Sequence, residues 1–311
     1  MKQINKNSKI LITGGNGLVG SALSSLLVDM GYKNVIPIMR VDADLASYSD
    51  TKGVFEKFTP EFVFHMAARV YGIWGNMNNK GISFYDNLMI NTNVIEASRH
   101  VGVKKICAMG TGAIYPYPAP SLVLDEKDIF LGKPHPSEDS YAQAKRAMLS
   151  MLDAYQESYS LDWSYVVSCN LFGPGDKFDT LNGHVIPSLI KKFYLKKLKD
   201  VPLVIWGDGS ARRDFLYVSD ASEAIKIIME DLRGPINLGS GSVCSIMEIV
   251  KFLCEITQVP FSEIVWDKNK PNGQDHRAYN LNKLQAAGFK SKYSIQEGLK
   301  KTWSWYQGNP T

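Results

Sequence analysis

The chain offers little from which a covalent staple or a metal cage could be made. Its four cysteines, Cys107, Cys169, Cys244 and Cys254, form neither a CxxC pair nor a Cys/His spacing suited to zinc. That argues against a disulfide framework or a bound metal and for reduced thiols. No run of about 18 apolar residues occurs, and residues 1–8 are polar with no apolar signal core. Neither a membrane span nor a secretory leader is expected, and the expectation is a cytoplasmic protein. Internal repeats, low-complexity tracts and long linkers are also missing. Excess charge is missing too: 35 basic against 31 acidic residues leave +4 over 311 residues. That is too little for a nucleic-acid surface, though it is compatible with one local anion site. What is there is ordinary globular composition, 45% hydrophobic and 21% charged, in a chain long enough to divide a large core over two lobes.

Short apolar runs alternate with helical periodicity through the first half. Residues 9–13, 35–39, 62–65 and 105–109 read as buried strands. Leu18, Val19, Ala22, Leu23, Leu26, Leu27 and Met30 recur at helical spacing up to a stop at Gly31. Further helices are expected around 50–58, 86–101 and 140–160, with a strand at 164–168. This α/β alternation implies a Rossmann-type, doubly wound parallel sheet covered on both faces. After about residue 170 the pattern loosens. Gly173-Pro174-Gly175 breaks the chain, a helix over 184–199 and a strand over 202–206 follow, and a last α/β portion ends near Trp305. The expected division is an NADP-binding domain over 1–170, to which some later segments return, and a smaller, interwoven C-terminal substrate lobe over 171–311.

The chemistry begins at Gly14-Gly-Asn-Gly-Leu-Val-Gly20, between the first strand and the first helix. Gly14, Gly17 and Gly20 permit a tight turn, close approach of the backbone to a pyrophosphate, and close helix–sheet packing. Leu18 and Val19 open a helix whose N-terminus faces the phosphates. The residue after the second strand meets the adenosine ribose in such folds. Here it is Arg40, whose guanidinium suits a 2′-phosphate and favours NADP over NAD; the alternative leaves Arg40 in solvent and Asp42 on the ribose. Asp44 and Leu45 are candidates to sit beside the adenine. Ala67, in His65-Met-Ala-Ala68, is a candidate to line the pyrophosphate, with His65 read as structural rather than catalytic.

Tyr141 and Lys145 stand i, i+4 on an expected helix, which puts both on one face. An ammonium beside a phenol stabilises the phenolate, and so does the positive nicotinamide of an oxidised cofactor, so the expectation is a Tyr141 with lowered pKa, able to give and take a proton near neutral pH. Thr111, just past the fourth strand in Gly110-Thr-Gly-Ala-Ile-Tyr-Pro116, supplies a hydroxyl for a substrate oxygen.

With these residues in place the chain resembles the extended short-chain dehydrogenase/reductase superfamily of nucleotide-sugar enzymes. Within it, these segments match GDP-L-fucose synthases in order: His65–Gly72, Asn87–Asn91, Asn170–Pro174, Asn182–Pro187, Ile205–Gly209 with Arg213–Leu216, and Lys270–Gly273. The resemblance spans almost the whole chain and implies an NADPH-dependent enzyme acting on a GDP-linked 4-keto sugar. It further implies that Tyr141 protonates the C4 oxygen, that Lys145 holds the nicotinamide ribose, and that Thr111 stands where the family usually has Ser. His184 matches the family's acid in epimerisation and lies with the cofactor. Asn170 is a candidate to fix substrate or cofactor by its amide, with loop capping as the alternative. Lys192, Trp206 and Arg213 match contacts to the nucleotide sugar. The rest of the lysine run 191–199 reads as a solvated face. The expected helices 86–101 and 140–158, with Met89, Ile90, Met148, Met151 and Leu152, match a four-helix dimer interface, so a homodimer is implied, internal packing being the alternative.

One departure weighs most. The family pattern Gly-Ser-Ser-Cys-Ile-Tyr-Pro carries its epimerisation base at Cys, and here Ala113 occupies that place in the substrate site. Removing a proton α to a ketone needs a base within reach, and a methyl group is none. The expectation is a C4-ketone reductase of a GDP-4-keto-6-deoxyhexose or GDP-4-keto-heptose without C3/C5 epimerisation. The alternatives are a full bifunctional GDP-L-fucose synthase, or a nucleotide-sugar 4-epimerase with tightly held NAD. A 4,6-dehydratase fits less well, because Gly112 stands where its acidic residue would be. A regulatory protein on a degenerate fold is opposed by intact Thr111, Tyr141 and Lys145.

Overall fold

Strands built from near-continuous apolar residues must pair inside a sheet covered on both faces, and the first half of the chain does this. In a computed structural model describing residues 4–70, 73–181, 183–270 and 272–310, it runs β1 (Lys9–Thr13), α1 (Leu18–Asp29), β2 (Asn34–Ile38), α2 (Tyr48–Phe58), β3 (Phe62–His65), α3 (Ile73–Asn78), α4 (Lys80–His100), β4 (Lys105–Met109), α5 (Asp139–Tyr159) and β5 (Asp162–Ser168). Tyr71, Gly72, Asn182 and Pro271, which fall in the motif segments above, lie outside the described residues.

The second half runs β6 (Asn170–Phe172), α6 (Val185–Lys199), β7 (Leu203–Trp206), β8 (Arg212–Tyr217), α7 (Val218–Asp231), β9 (Gly234–Leu238), β10 (Val243–Ser245), α8 (Ile246–Thr257), β11 (Ile264–Asp267), β12 (His276–Arg277), α9 (Asn282–Ala286) and α10 (Ile295–Gly308). The helices α8 and α10 start at Ser-x-x-Glu capping boxes, Ser245/Glu248 and Ser294/Glu297, that satisfy their first amide groups.

The main sheet has the order β2-β1-β3-β4-β5-β9, parallel throughout. This is the doubly wound α/β architecture expected. The strand order reverses at β1, with β2 on one side and β3 on the other, so a crevice opens beyond the carboxyl ends of these strands. Pro37 is tolerated inside β2 because β2 is an edge strand. The sheet is completed from the second half of the chain: β9 pairs with β5 and α7 packs on α1. Lys105, buried at the start of β4, donates to the Leu232 carbonyl at 2.6 Å. That places a cation at the C-terminal end of α7, where the helix dipole favours it.

The second lobe holds a smaller core, with Ile190, Phe193, Ile205, Leu253, Leu299 and Tyr306 among its buried residues. Its β8 pairs parallel with β6 and β12 and antiparallel with β10, while β7 pairs with β11. Met148 and Leu152 of α5 are fully buried in the first core. They pack within the chain and are not surface for a partner.

Candidate active site

The loop after β1 is shaped by its glycines. Gly14 has φ +70°, and a Cβ there would press on the Ala67 backbone at 2.9 Å; a Cβ at Gly20 would overlap the Gly14 carbonyl. Helix α1 then starts at Gly17 with no side-chain cap and no acidic residue in its first turn. Its first amide groups therefore have no side-chain acceptor from a cap. Such a cradle fits a dinucleotide pyrophosphate.

The end of β3 is held to this loop by a buried chain of hydrogen bonds. Thr13 Oγ1 lies 2.8 Å from His65 Nδ1 and accepts from the Ala67 amide at 3.2 Å. On its other side His65 Nε2 meets Asn91 Oδ1 at 3.1 Å. Burial, with the Lys145 ammonium nearby, drives the imidazole pKa down to about 3, so His65 is a neutral bridge. Asn87 secures the next residues, accepting from the Arg69 amide and donating to its carbonyl, both at 2.9 Å.

At the ribose end Arg40 is exposed. Asp42 Oδ2 accepts from the Met39 amide at 2.8 Å, so this carboxylate serves the turn after β2. Asp44 is exposed, whereas the Leu45 side chain is buried in the first core and its carbonyl accepts from Asn93 Nδ2 at 3.0 Å. Leu45 can therefore meet an adenine only through its backbone.

Thr111, Ala113, Tyr141 and Lys145 converge at the end of β4. Helix α5 is docked there by two side-chain donors: Lys145 Nζ to the Met109 carbonyl at 2.7 Å, and Arg146 Nε to the Ile114 carbonyl at 2.8 Å. Lys145 Nζ also stands 5.9 Å from the centre of the Tyr141 ring. Thr111 caps the 3-10 turn Gly112–Ile114, its Oγ1 accepting from the Ala113 amide at 3.2 Å. In the chain alone the acid–base balance runs differently from the sequence expectation, which also counts the charge of an oxidised nicotinamide. Burial, and then the Glu138 carboxylate, raise the Tyr141 phenol above its ordinary value, while burial brings Lys145 down to about 7. Desolvation of both groups outweighs the effect of the ammonium on the phenol. The result is a phenol held protonated, an acid ready to give its proton.

Neither thiol near this point is an activated base. Cys107 is buried inside β4, where burial raises its pKa to about 11, and burial also holds Cys169 well above its usual range.

In the second lobe, Lys192 Nζ lies 5.5 Å and Lys270 Nζ 5.4 Å from the Trp206 ring centre. Lys192 also donates to the Val204 carbonyl at 3.0 Å. A cleft of about 250 Å³ opens here, lined by Thr180, Leu181, Lys192 and Trp206 among others. His184 is exposed at the start of α6, with the buried Asp176 carboxyl in its electrostatic reach. Asn170 is half-buried at the start of β6.

Arg213 lies in a different cluster, one that sequence reasoning reached only in part. Beside it in register is Arg277 of β12, whose Nη2 meets Glu138 Oε2 at 2.9 Å and whose Nε meets Gln274 Oε1 at 3.0 Å. Tyr279, also buried, occupies the space beside Gly112, where a Cβ would overlap its hydroxyl. A two-residue strand carries no periodicity, so nothing in the sequence pattern announces Arg277; Glu138 could have been noticed three residues ahead of Tyr141. Because of this fit, Gly112→Ala is expected to displace the 111–115 turn and lower stability by about 1–3 kcal/mol, read as a shift in the denaturant midpoint.

A Gly-rich turn at a switch point, with a Tyr–Lys pair on the adjoining helix, defines the class: a dinucleotide-dependent oxidoreductase of Rossmann type. The comparisons agree. Residues 10–239 match the model of the NAD dependent epimerase/dehydratase family, and the chain belongs to that family. It is 35% identical over 308 residues to probable GDP-L-fucose synthase 1 of Oryza sativa subsp. japonica, covering 98% of this chain and 93% of that one. Among solved structures, a GDP-L-fucose synthetase from Naegleria fowleri bound to NADP superposes with a TM-score of 0.90 at 28% identity, covering 99% and 96% of the two chains. A GDP-6-OMe-4-keto-L-xylo-heptose reductase from C. jejuni superposes at 0.91, also 28% identical, covering 98% and 99%.

Proposed function

We propose that this enzyme uses NADPH to reduce the C4 ketone of a GDP-4-keto-6-deoxyhexose or GDP-4-keto-heptose, without the C3/C5 epimerisation of GDP-L-fucose synthases. The observation that carries the reading is Ala113 beside Thr111, Tyr141 and Lys145 at the end of β4. A reductase needs a proton donor and an oxyanion anchor, which Tyr141 and Thr111 would supply. An epimerase needs a base, which Ala113 cannot supply, and burial keeps the thiols of Cys107 and Cys169 protonated. NADP is supported by the solved relative that binds it.

The bound cofactor supplies hydride to the carbonyl carbon. Thr111 and Tyr141 would hold the ketone oxygen, and Tyr141 would give it the proton that completes the alcohol. Lys145 would hold the nicotinamide ribose and support the phenolate left behind. Gly14, Gly17, Gly20, Leu18, Val19 and Ala67 would cradle the pyrophosphate, Arg40 would meet the 2′-phosphate, and Asp44 and the Leu45 backbone the adenine. Lys192, Trp206, Arg213 and Asn170 would bind the nucleotide sugar. His184, with Ala113 in place of the family's cysteine, would bind without epimerising. A homodimer through α4, on which Ile82 and Tyr85 are exposed, and α5 belongs to the same reading and is checked by sedimentation.

The test is one incubation in D2O with NADPH and GDP-4-keto-6-deoxymannose, the product weighed by mass spectrometry. Reduced product without solvent deuterium at C3 or C5 is expected. Deuterium there would mean that another residue has replaced the base and that the enzyme is a full fucose synthase.

A further inference from the structure

One buried hydroxyl beside the turn at the end of β4 makes no hydrogen bond among the described residues. The Tyr115 hydroxyl donates to Asn237 Oδ1 at 2.6 Å, and that of Tyr165 donates to the Lys145 carbonyl at 3.1 Å. Tyr279 is only 6% exposed, and its hydroxyl is covered and without such a partner. The Arg277 guanidinium comes near it, but Arg277 directs Nη2 at Glu138 and Nε at Gln274. A buried hydroxyl without a partner is costly, and folded chains hold few of them. Phenylalanine would fill the same space without that cost. Packing of the chain by itself therefore gives no reason for this oxygen.

The place of the hydroxyl is set from two sides. A Cβ on Gly112 would overlap it, so it rests against the backbone between Thr111 and Ala113. Tyr279 also follows Arg277 by two residues along an extended segment that pairs with Leu124, and Arg277 is level with Arg213 of β8. The hydroxyl thus stands between the turn that would hold the ketone oxygen and the arginine that would bind the nucleotide sugar. A hexose linked through C1 to a diphosphate, with its C4 ketone at Thr111, has one ring edge carrying the C2 and C3 hydroxyls. Its other edge, in a 6-deoxy sugar, offers a methyl group and the ring oxygen. A hydrogen-bonding side chain matches the first edge. Of its two hydroxyls, the one on C3 adjoins the ketone carbon, as Gly112 adjoins Thr111. Burial holds the Tyr279 phenol above its ordinary value, so it is a donor at neutral pH. Its cover is no bar to contact, because Ala113 and Tyr141, 1% and 9% exposed, are covered to a similar degree.

We propose that Tyr279 is a specificity-determining residue of the substrate site, its hydroxyl donating a hydrogen bond to the C3 hydroxyl of the 4-keto sugar. The proposal rests on the reading of the substrate as a nucleoside-diphosphate 4-keto sugar. In it, C3 is held by its hydroxyl and keeps its configuration while C4 is reduced. A site built around such a contact discriminates against a sugar that lacks the hydroxyl.

The experiment pairs Tyr279→Phe with two substrates, GDP-4-keto-6-deoxymannose and its 3-deoxy analogue, GDP-4-keto-3,6-dideoxymannose. Loss of one neutral hydrogen bond is expected to raise the KM of the variant for the first substrate by about 5- to 10-fold, with kcat and NADPH affinity held. For the 3-deoxy analogue, wild type and variant are expected to share one KM, which closes the cycle on the C3 hydroxyl. The denaturant midpoint of the variant is expected to equal or exceed that of the wild type, because the oxygen removed bonds nothing in the fold. A hydroxyl with a structural role gives the reverse: a lower midpoint, and KM shifted alike for both substrates. Either result overturns the inference, as does an unchanged KM for GDP-4-keto-6-deoxymannose. If the wild type reduces neither compound, the substrate reading has failed and this inference falls with it.

Discussion

Tyr141→Phe is expected to slow ketone reduction by about 10²–10⁴-fold while leaving NADPH affinity unchanged. The ring is buried against Lys145 and the end of β4, and Phe preserves its volume, so packing is kept and only the proton donor is removed. The size of the effect is that of losing a positioned general acid. A phenol held above its usual value by burial and Glu138 is fully protonated at neutral pH, so every enzyme molecule starts with its acid loaded. The check is single-turnover reduction beside a cofactor titration. A rate loss of less than tenfold would assign the proton to another group.

The second large effect concerns stability. Lys145 is wholly buried, with its pKa down to about 7 against 10.5 for an ordinary lysine. Between these two values the unfolded chain holds a proton that the folded chain has released. Stability of the ligand-free protein therefore rises with pH across that window, with a limiting slope of roughly 1 kcal/mol per pH unit. Below pH 7 the folded protein bears the full cost of the buried ammonium. Lys145→Met, which keeps the length of the side chain without its charge, is expected to flatten that slope and to be several kcal/mol more stable than the wild type near pH 6, although ketone reduction is lost. Chemical denaturation of both proteins from pH 6 to 10 reads this directly. Parallel stability curves would mean that Lys145 titrates normally in the folded state. A lysine whose removal stabilises the fold is retained for its chemistry.

Most of the first sheet was legible because its signals are local. The apolar runs of β1, β3 and β4 and the glycines at 14, 17 and 20 carry their own geometry, and the strands fall at or within a residue of the expected bounds. Helix α4 begins at Lys80, several residues before the expected start. Asn87, Asn91 and Asn93 interrupt its apolar periodicity, and they do so because each serves a buried hydrogen bond to another element. The Tyr141–Lys145 pair was legible from spacing, but its electrostatics were not. Burial is a tertiary quantity, and in the chain alone it raises the Tyr141 phenol. The Arg277–Glu138 pair joins residues 139 positions apart, through a strand too short to carry a pattern. Such a pairing exists only once the second lobe has folded.

The path of the main sheet also constrains how the protein can be made. Its last strand, β9, ends at Leu238, and the helix that covers α1 is α7. When β5 has left the ribosome, its free edge waits through some seventy residues of second-lobe sequence before β9 arrives at Ser164–Ser168. During that interval the nascent chain exposes an unpaired parallel edge, the kind of surface that invites wrong pairing. The nucleotide-binding half, though first to be started, thus closes only after β6 to α7 have been made, and its maturation depends on the long-range step of bringing β9 to β5.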